Sequence, residues 1–245
     1  MANSSMMHQH VFQPFAYFGL HHSFFNIQAD TLISTWAVIG IITIISIVIN
    51  RSLKNENSSI RFAALVYVRT FQDLITQSIQ SCPLQHLAMI GSFFTFIFLC
   101  NTIQFIPWLE EPTKDLNTTL ALGLISFFYV QINAIQFKGF KGYAKHYIEP
   151  FVFMLPLHII GAISSIISIS FRLFGNIFGG FIISSLYSKM LSSSAIAQCL
   201  GIFSGANLFI FLVFGIFEGL IQAFVFTMLT LTYLSMEIAP ESDHD

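Results

Sequence analysis

The chain has 245 residues, of which 55% are hydrophobic and only 9% charged, with 29 Phe and ten Lys plus Arg. An average soluble domain carries about 25% charged residues. With a mean hydropathy of +0.74, the chain cannot coat a water-facing surface of this size, and its natural solvent is lipid. The net charge of −2 excludes a nucleic-acid binder driven by bulk electrostatics.

No Lys or Arg precedes Arg51, so the positive n-region of a cleavable signal peptide is missing and the N-terminus reads as retained. Residues 1–30 are expected to form an N-terminal extracytoplasmic segment, followed by a single transmembrane helical domain over 31–245. The N-terminal histidines, His8, His10, His21 and His22, fit a solvated tail better than a metal site. Cys82, Cys100 and Cys199 lie far apart without ligand spacing and read as packing residues.

The first apolar run covers residues 32–49, just long enough to cross at about 20 residues per span. Residues 58–82 differ. Apolar side chains recur at Ile60, Ala64, Val68, Phe71, Ile75 and Ile79, while Arg61, Arg69, Asp73 and Gln77 fall elsewhere around the wheel. This spacing predicts an amphipathic helix, lying either at the membrane interface or packed on the other spans. Spans are expected near 84–109 and 116–137. Residues 150–188 then hold one charge, Arg172, and residues 190–236 hold one, Glu218. As single helices these stretches would be roughly 58 and 70 Å long, about twice the hydrocarbon thickness. Each is either two spans or one long, steeply tilted helix. The expected fold class is an all-α integral membrane protein of about five membrane helices plus the amphipathic one.

Positive charge sets the orientation. Alternate connections hold Arg51, Lys54, Arg61 and Arg69, then Lys138, Lys141 and Lys145, against only Lys114 and Lys189 in the opposite set. The N-terminus is therefore expected outside and the C-terminus in the cytoplasm.

Arg172 is the most informative residue. It lies too deep in its apolar stretch for easy snorkelling, and an arginine there costs about 2.5 to 3.5 kcal/mol on insertion scales. It cannot discharge, because its pKa is above about 12. The chain offers few anions, so its carboxylate partner is expected on another subunit. The competing reading is a structural arginine bonded to carbonyls and to Asn176, one turn on. Gly175 and Gly179 make a small-xxx-small face that admits a neighbouring helix. Glu218 and Gln222 are four residues apart and share one face of the last helix, near Gly215 and Gly219. A carboxyl at Glu218 among Phe and Leu would exchange protons near neutrality, unless it serves as a structural partner of Arg172.

The string Phe171-Arg172-Leu173-Phe174-Gly175-Asn176 resembles the signature of the ATP synthase a subunit family. Glu111-Pro112-Thr113-Lys114-Asp115-Leu116-Asn117-Thr118-Thr119-Leu120-Ala121-Leu122 is similar to a second family run, and Ile221-Gln222-Ala223-Phe224-Val225-Phe226-Thr227-Met228-Leu229-Thr230 to its last helix. In order and spacing the resemblance covers roughly residues 84–236, in the style of bacterial and plastid members. It implies a proton-translocating stator subunit in an ATP synthase membrane sector. Arg172 would face an oligomeric c-ring between two half-channels, near Asn176 and Gln222. Partners would be the c-ring, peripheral-stalk b subunits, other ATP synthase subunits and the lipid bilayer. The setting would be a bacterial plasma membrane or an organellar energy-transducing membrane. No cofactor, metal or nucleotide site is expected, since there is no GxxxxGK[ST] loop.

The sequence departs from the family where acids are common: Phe181 after Arg172, Gly215 before Gln222 and Gly161 before Arg172. Relocation is the expectation, with Glu218 serving the outer half-channel and His158 the inner one, a histidine being a plausible relay. A packing histidine is the competing reading. Asp115, Glu110 and Glu111 are expected at the outer mouth, where loop solvation explains them equally well. The alternative function is a free-standing ion channel or secondary transporter, which usually carries internal repeats.

Overall fold

The structure is a computed structural model that describes residues 11–12, 27–54, 58–79, 84–103, 106, 109, 111–148, 154–192, 209 and 212–238. A two-residue antiparallel ladder pairs β1 (Val11–Phe12) with β2 (Ile27–Gln28). Everything else of regular structure is helical: α1 (Ala29–Ser52), α2 (Ser59–Ile79), α3 (Leu84–Thr102), a 3-10 turn at Pro112–Lys114, α4 (Leu116–Ile148), α5 (Met154–Ser192), a π-helical turn at Leu212–Phe217 and α6 (Glu218–Ile238). Among the described residues, five helices are long and apolar enough to cross a membrane: Asp30–Ser52, Leu84–Thr102, Leu116–Phe140, Ile163–Met190 and Gly215–Ile238. The protein is an all-α membrane protein.

The helical choice follows from the solvent, because a spanning segment must satisfy its own backbone polar groups. Hydroxyls inside the spans obey the same rule. Those of Thr35, Thr43, Thr227 and Thr232 each donate to the carbonyl one turn back. Helix α4 bends at Gly139, whose φ of 73° lies in the left-handed region that only glycine enters cheaply. The bend follows Lys138 and separates the apolar part of α4 from a tail containing Lys141 and Lys145.

The two readings of the stretch at 150–188 resolve in favour of length, since α5 runs unbroken for 39 residues. Of the last stretch, the described part is the π-turn running into α6.

The central core joins four helices: Phe93 and Ile97 of α3, Leu122 of α4, Ile169 and Leu173 of α5, and Ala223 and Phe226 of α6. The amphipathic helix α2 joins through Phe71 and Ile75, which pack with Ile90 of α3 and Leu231 of α6. The Tyr67 hydroxyl donates to the Gly91 carbonyl at 2.9 Å, and the Ser235 hydroxyl donates to the Ser78 carbonyl at 2.6 Å. The second half of the predicted apolar face is thus buried against spans. In the first half, Ile60 and Val68 remain exposed. Helix α1 attaches through Val38 against Cys100 and Ile103. Cys100 is buried and free, as a packing residue would be, while Cys82 and Cys199 lie outside the described residues.

Candidate functional site

Helix α5 is amphipathic in an unusual sense, with a packed face and a face turned away from the protein. Ile169, Ser170 and Leu173 are buried against the bundle, whereas Ser168, Arg172 and Gly175 are exposed. Steps of three and four residues put Ser168, Arg172, Gly175 and Gly179 on one stripe. A Cβ added at Gly161, Gly175 or Gly179 would meet nothing within 4 Å. Large apolar side chains flank the stripe, among them Ile167, Phe171, Phe178 and Ile182, all exposed. Arg172 is therefore a lone cation on an outward apolar face beside a shallow groove of small residues. No carboxylate among the described residues pairs with it. That geometry leaves the guanidinium open to a helix outside this chain.

Helix α6 carries the two predicted polar residues on one face, but at different depths. Gln222 is buried, with 2% of its surface exposed, and Glu218 is half-buried at the helix start. Leu173 and Ala223, each one residue beyond Arg172 and Gln222, belong to the same core cluster. The Arg172 turn of α5 and the Gln222 turn of α6 thus each contribute to one core cluster. Between α3 and α6 the backbones come close: a Cβ on Gly219 would lie 2.9 Å from Cβ of Asn101.

Asp115 has a structural task. Its Oδ1 accepts the Asn117 N–H at 3.1 Å, and its carbonyl accepts the N–H groups of Thr118 and Thr119. This is the N-cap of α4, satisfying donors the helix cannot satisfy internally. His158 and Asn176 lie on α5, but their side chains, like Glu110 and the N-terminal histidines, lie outside the described residues.

Sequence reasoning passed over several buried polar groups. Asn101 and Thr113 are buried, and the Thr113 hydroxyl donates to Asn101 Oδ1 at 2.8 Å. At the other end of the bundle the buried His86 faces Tyr129, its Nδ1 2.5 Å from the Tyr129 hydroxyl. Ser126 and Thr230 join α4 to α6 at 2.8 Å. The available signal was a polar residue inside an apolar run, which is weak unless the facing helix is known.

These features define a multi-pass helical membrane protein with an exposed cation beside a stripe of small residues on an apolar helix face. The family described as ATP synthase A chain matches residues 32–235. Similar proteins include "ATP synthase subunit a 2" of Acaryochloris marina, 34% identical over 86% of each chain. "ATP synthase subunit a 1" of Crocosphaera subtropica is 33% identical, again over 86% of each chain. "ATP synthase subunit a" of Moorella thermoacetica is 29% identical over 84% of this chain and 89% of its own. The chain belongs to the ATP synthase A chain family: it is a multi-pass subunit of the ATP synthase membrane sector and works in a complex with other subunits.

Proposed function

We propose that this subunit supplies two half-channels to a ring of carboxylate-bearing c subunits, with Arg172 as the fixed charge between them. One observation carries the reading: Arg172 is exposed on a face of α5 whose other members are small or apolar. A guanidinium stays charged at any relevant pH, and on a lipid-facing surface it costs about 2.5 to 3.5 kcal/mol. A carboxylate on an apposed helix offsets that cost, and the glycine stripe permits the close approach. Held there, the arginine keeps a passing carboxylate ionised and blocks a direct leak from one half-channel to the other.

Glu218, half-buried at the start of α6, is the proton-exchanging group of the outer half-channel, with Gln222 one turn deeper toward the level of Arg172. His158 is the inner relay, and Asn176, four residues beyond Arg172 in the sequence, acts with the arginine. The positive charges at the ends of α1 and α4 (Arg51, Lys54, Lys138, Lys141 and Lys145) support a cytoplasmic C-terminus, and the setting is a bacterial plasma membrane. Peripheral-stalk b subunits hold the protein against rotation. Each proton crossing 100 mV releases about 2.3 kcal/mol, so several must be summed for one ATP, which a rotating ring does.

The test is Arg172→Gln in the reconstituted complex. ATP synthesis driven by an imposed proton gradient should be nearly abolished, and passive proton leak through the membrane sector should rise. Synthesis at the wild-type rate would end the proposal.

A further inference from the structure

Four polar side chains from three parts of the chain converge beside the start of α6. Asn101 ends α3, Glu111 precedes the 3-10 turn, Thr113 lies within it, and Glu218 opens α6. The turn is fixed in place: Pro112 and Thr113 are buried, and Thr113 is bonded to Asn101 at 2.8 Å. Asn101 in turn rests on Gly219, where an added Cβ would lie 2.9 Å from its own Cβ. A continuous packed contact therefore runs from the turn through Asn101 to the residue beside Glu218. Glu111 is held at the near end of that contact, half-buried, and the charge of Glu218 reaches it.

We infer that Glu111 is the outer member of a two-carboxyl relay and exchanges protons with Glu218 along the Asn101–Thr113 contact. This rests on the reading of Glu218 as the proton-exchanging group of the outer half-channel. The step is balanced: the O–H bond of a protonated Glu111 breaks, an O–H bond forms on the Glu218 carboxylate, and Glu111 is left ionised. It is then reprotonated from the outer solution. The transfer runs through water between the two carboxyls, which leaves the balance unchanged.

The electrostatics suit this task. Burial raises the Glu111 carboxyl to about 7, Lys114 opposes the shift, and Glu218 adds to it. A group half-protonated near neutrality both accepts and releases a proton readily. The groups whose charge bears on Glu111 are Lys114 and Glu218, with the Cys100 thiol of α3 beside it. The packed elements also carry Asp30 and Arg51 of α1, His86 of α3, Tyr129, Lys138, Lys141, Tyr143, Lys145, His146 and Tyr147 of α4, His158, Arg172, Tyr187 and Lys189 of α5, and Asp115 next to the turn. An exposed loop carboxylate, the plain alternative, would keep an ordinary affinity and would not be coupled to Glu218.

The test measures gradient-driven ATP synthesis by the reconstituted complex across a series of outer pH values. Glu111→Gln should lower the maximal rate about tenfold or more and remove the part of the pH profile that titrates near 7. Glu111→Asp should recover part of the rate with its profile displaced. The double variant Glu111→Gln/Glu218→Gln should be no slower than Glu218→Gln alone, because both groups serve one path. A Glu111→Gln complex with the wild-type rate and profile overturns the inference, as does a double variant whose loss is the product of the two single losses. Should Glu111→Gln fail to assemble, a Glu111→Asp complex with an unshifted profile overturns it equally. Normal synthesis by Glu218→Gln would instead remove the half-channel reading beneath it. Loss in Glu218→Gln with none in Glu111→Gln leaves that reading standing and removes only the relay.

Discussion

The glycines of α5 and the glycine that opens α6 have opposite surroundings. Around Gly175 and Gly179 there is open space, and the nearest charged group on the stripe is the exposed Arg172. Gly219 is buried hard against Asn101. Both arrangements are small-residue faces, and both permit close helix approach. The α6 glycine uses that property within the chain, to bring α3 and α6 together beside the polar cluster of Glu111, Thr113 and Glu218. The α5 glycines leave it unused within the chain, which is what a docking face for another subunit requires. The comparison separates two kinds of polar residue: those buried within this chain, such as Gln222 and Asn101, and Arg172, which this chain leaves exposed.

The strongest way to break this comparison is to enlarge one glycine of each kind. Gly175→Leu should leave the thermal stability of the solubilised subunit unchanged, since nothing obstructs the new side chain. It should still abolish proton pumping by the complex, because a helix can no longer approach the Arg172 stripe. Gly219→Ala should do the reverse to stability. The Cβ contact at 2.9 Å forces α3 and α6 apart, at a cost of about 1 to 3 kcal/mol, read as a lower melting temperature. If both variants melt alike, the distinction is wrong.

A smaller effect sharpens the picture at the buried turn. The Glu111 carboxyl is raised from an ordinary 4.5 to about 7, chiefly by burial. The folded state therefore holds the proton more tightly than the unfolded chain. This group's contribution to stability is fully present below about pH 4.5, declines as the pH rises toward 7, and is flat above. The melting temperature of the wild type relative to Glu111→Gln should accordingly fall between pH 5 and pH 8. A constant difference would mean that Glu111 is solvated.

The smallest expected effect concerns Asp115. As the N-cap of α4 it should tolerate Asn, which caps equally well, whereas Asp115→Ala should cost about 1 kcal/mol in thermal unfolding. Loss of pumping in Asp115→Asn, with the helix still capped, would show that the carboxylate also moves protons.

Much of this molecule was legible in its residues. The apolar runs locate helices α1 and α3 to α6, and Arg172 is conspicuous because its stretch holds no other charge. The shared face of Glu218 and Gln222 follows from helical spacing alone. Other features were hidden. Asn101 and Thr113 meet across a connection that has no regular pattern, and His86 meets Tyr129 across two helices. Glu111 fitted an outer-mouth carboxylate and a solvated loop residue equally well, because its burial is created by neighbours distant in the chain. The amphipathic helix was readable as a helix, yet only Phe71 and Ile75 of its apolar face are buried in the core. How far a face is covered depends on where the neighbouring helices end.

The sequence by itself determined the solvent, the helical class and the presence of one cation that lipid would reject. Hydropathy and charge are properties of each segment, and they add along the chain without reference to partners. Only the tertiary structure decided that Arg172 faces outward, that Gln222 faces inward, and that the Glu111 carboxyl before a short turn is half-buried. The rotation of a helix about its axis is set by packing against all its neighbours at once, and no segment carries that information alone.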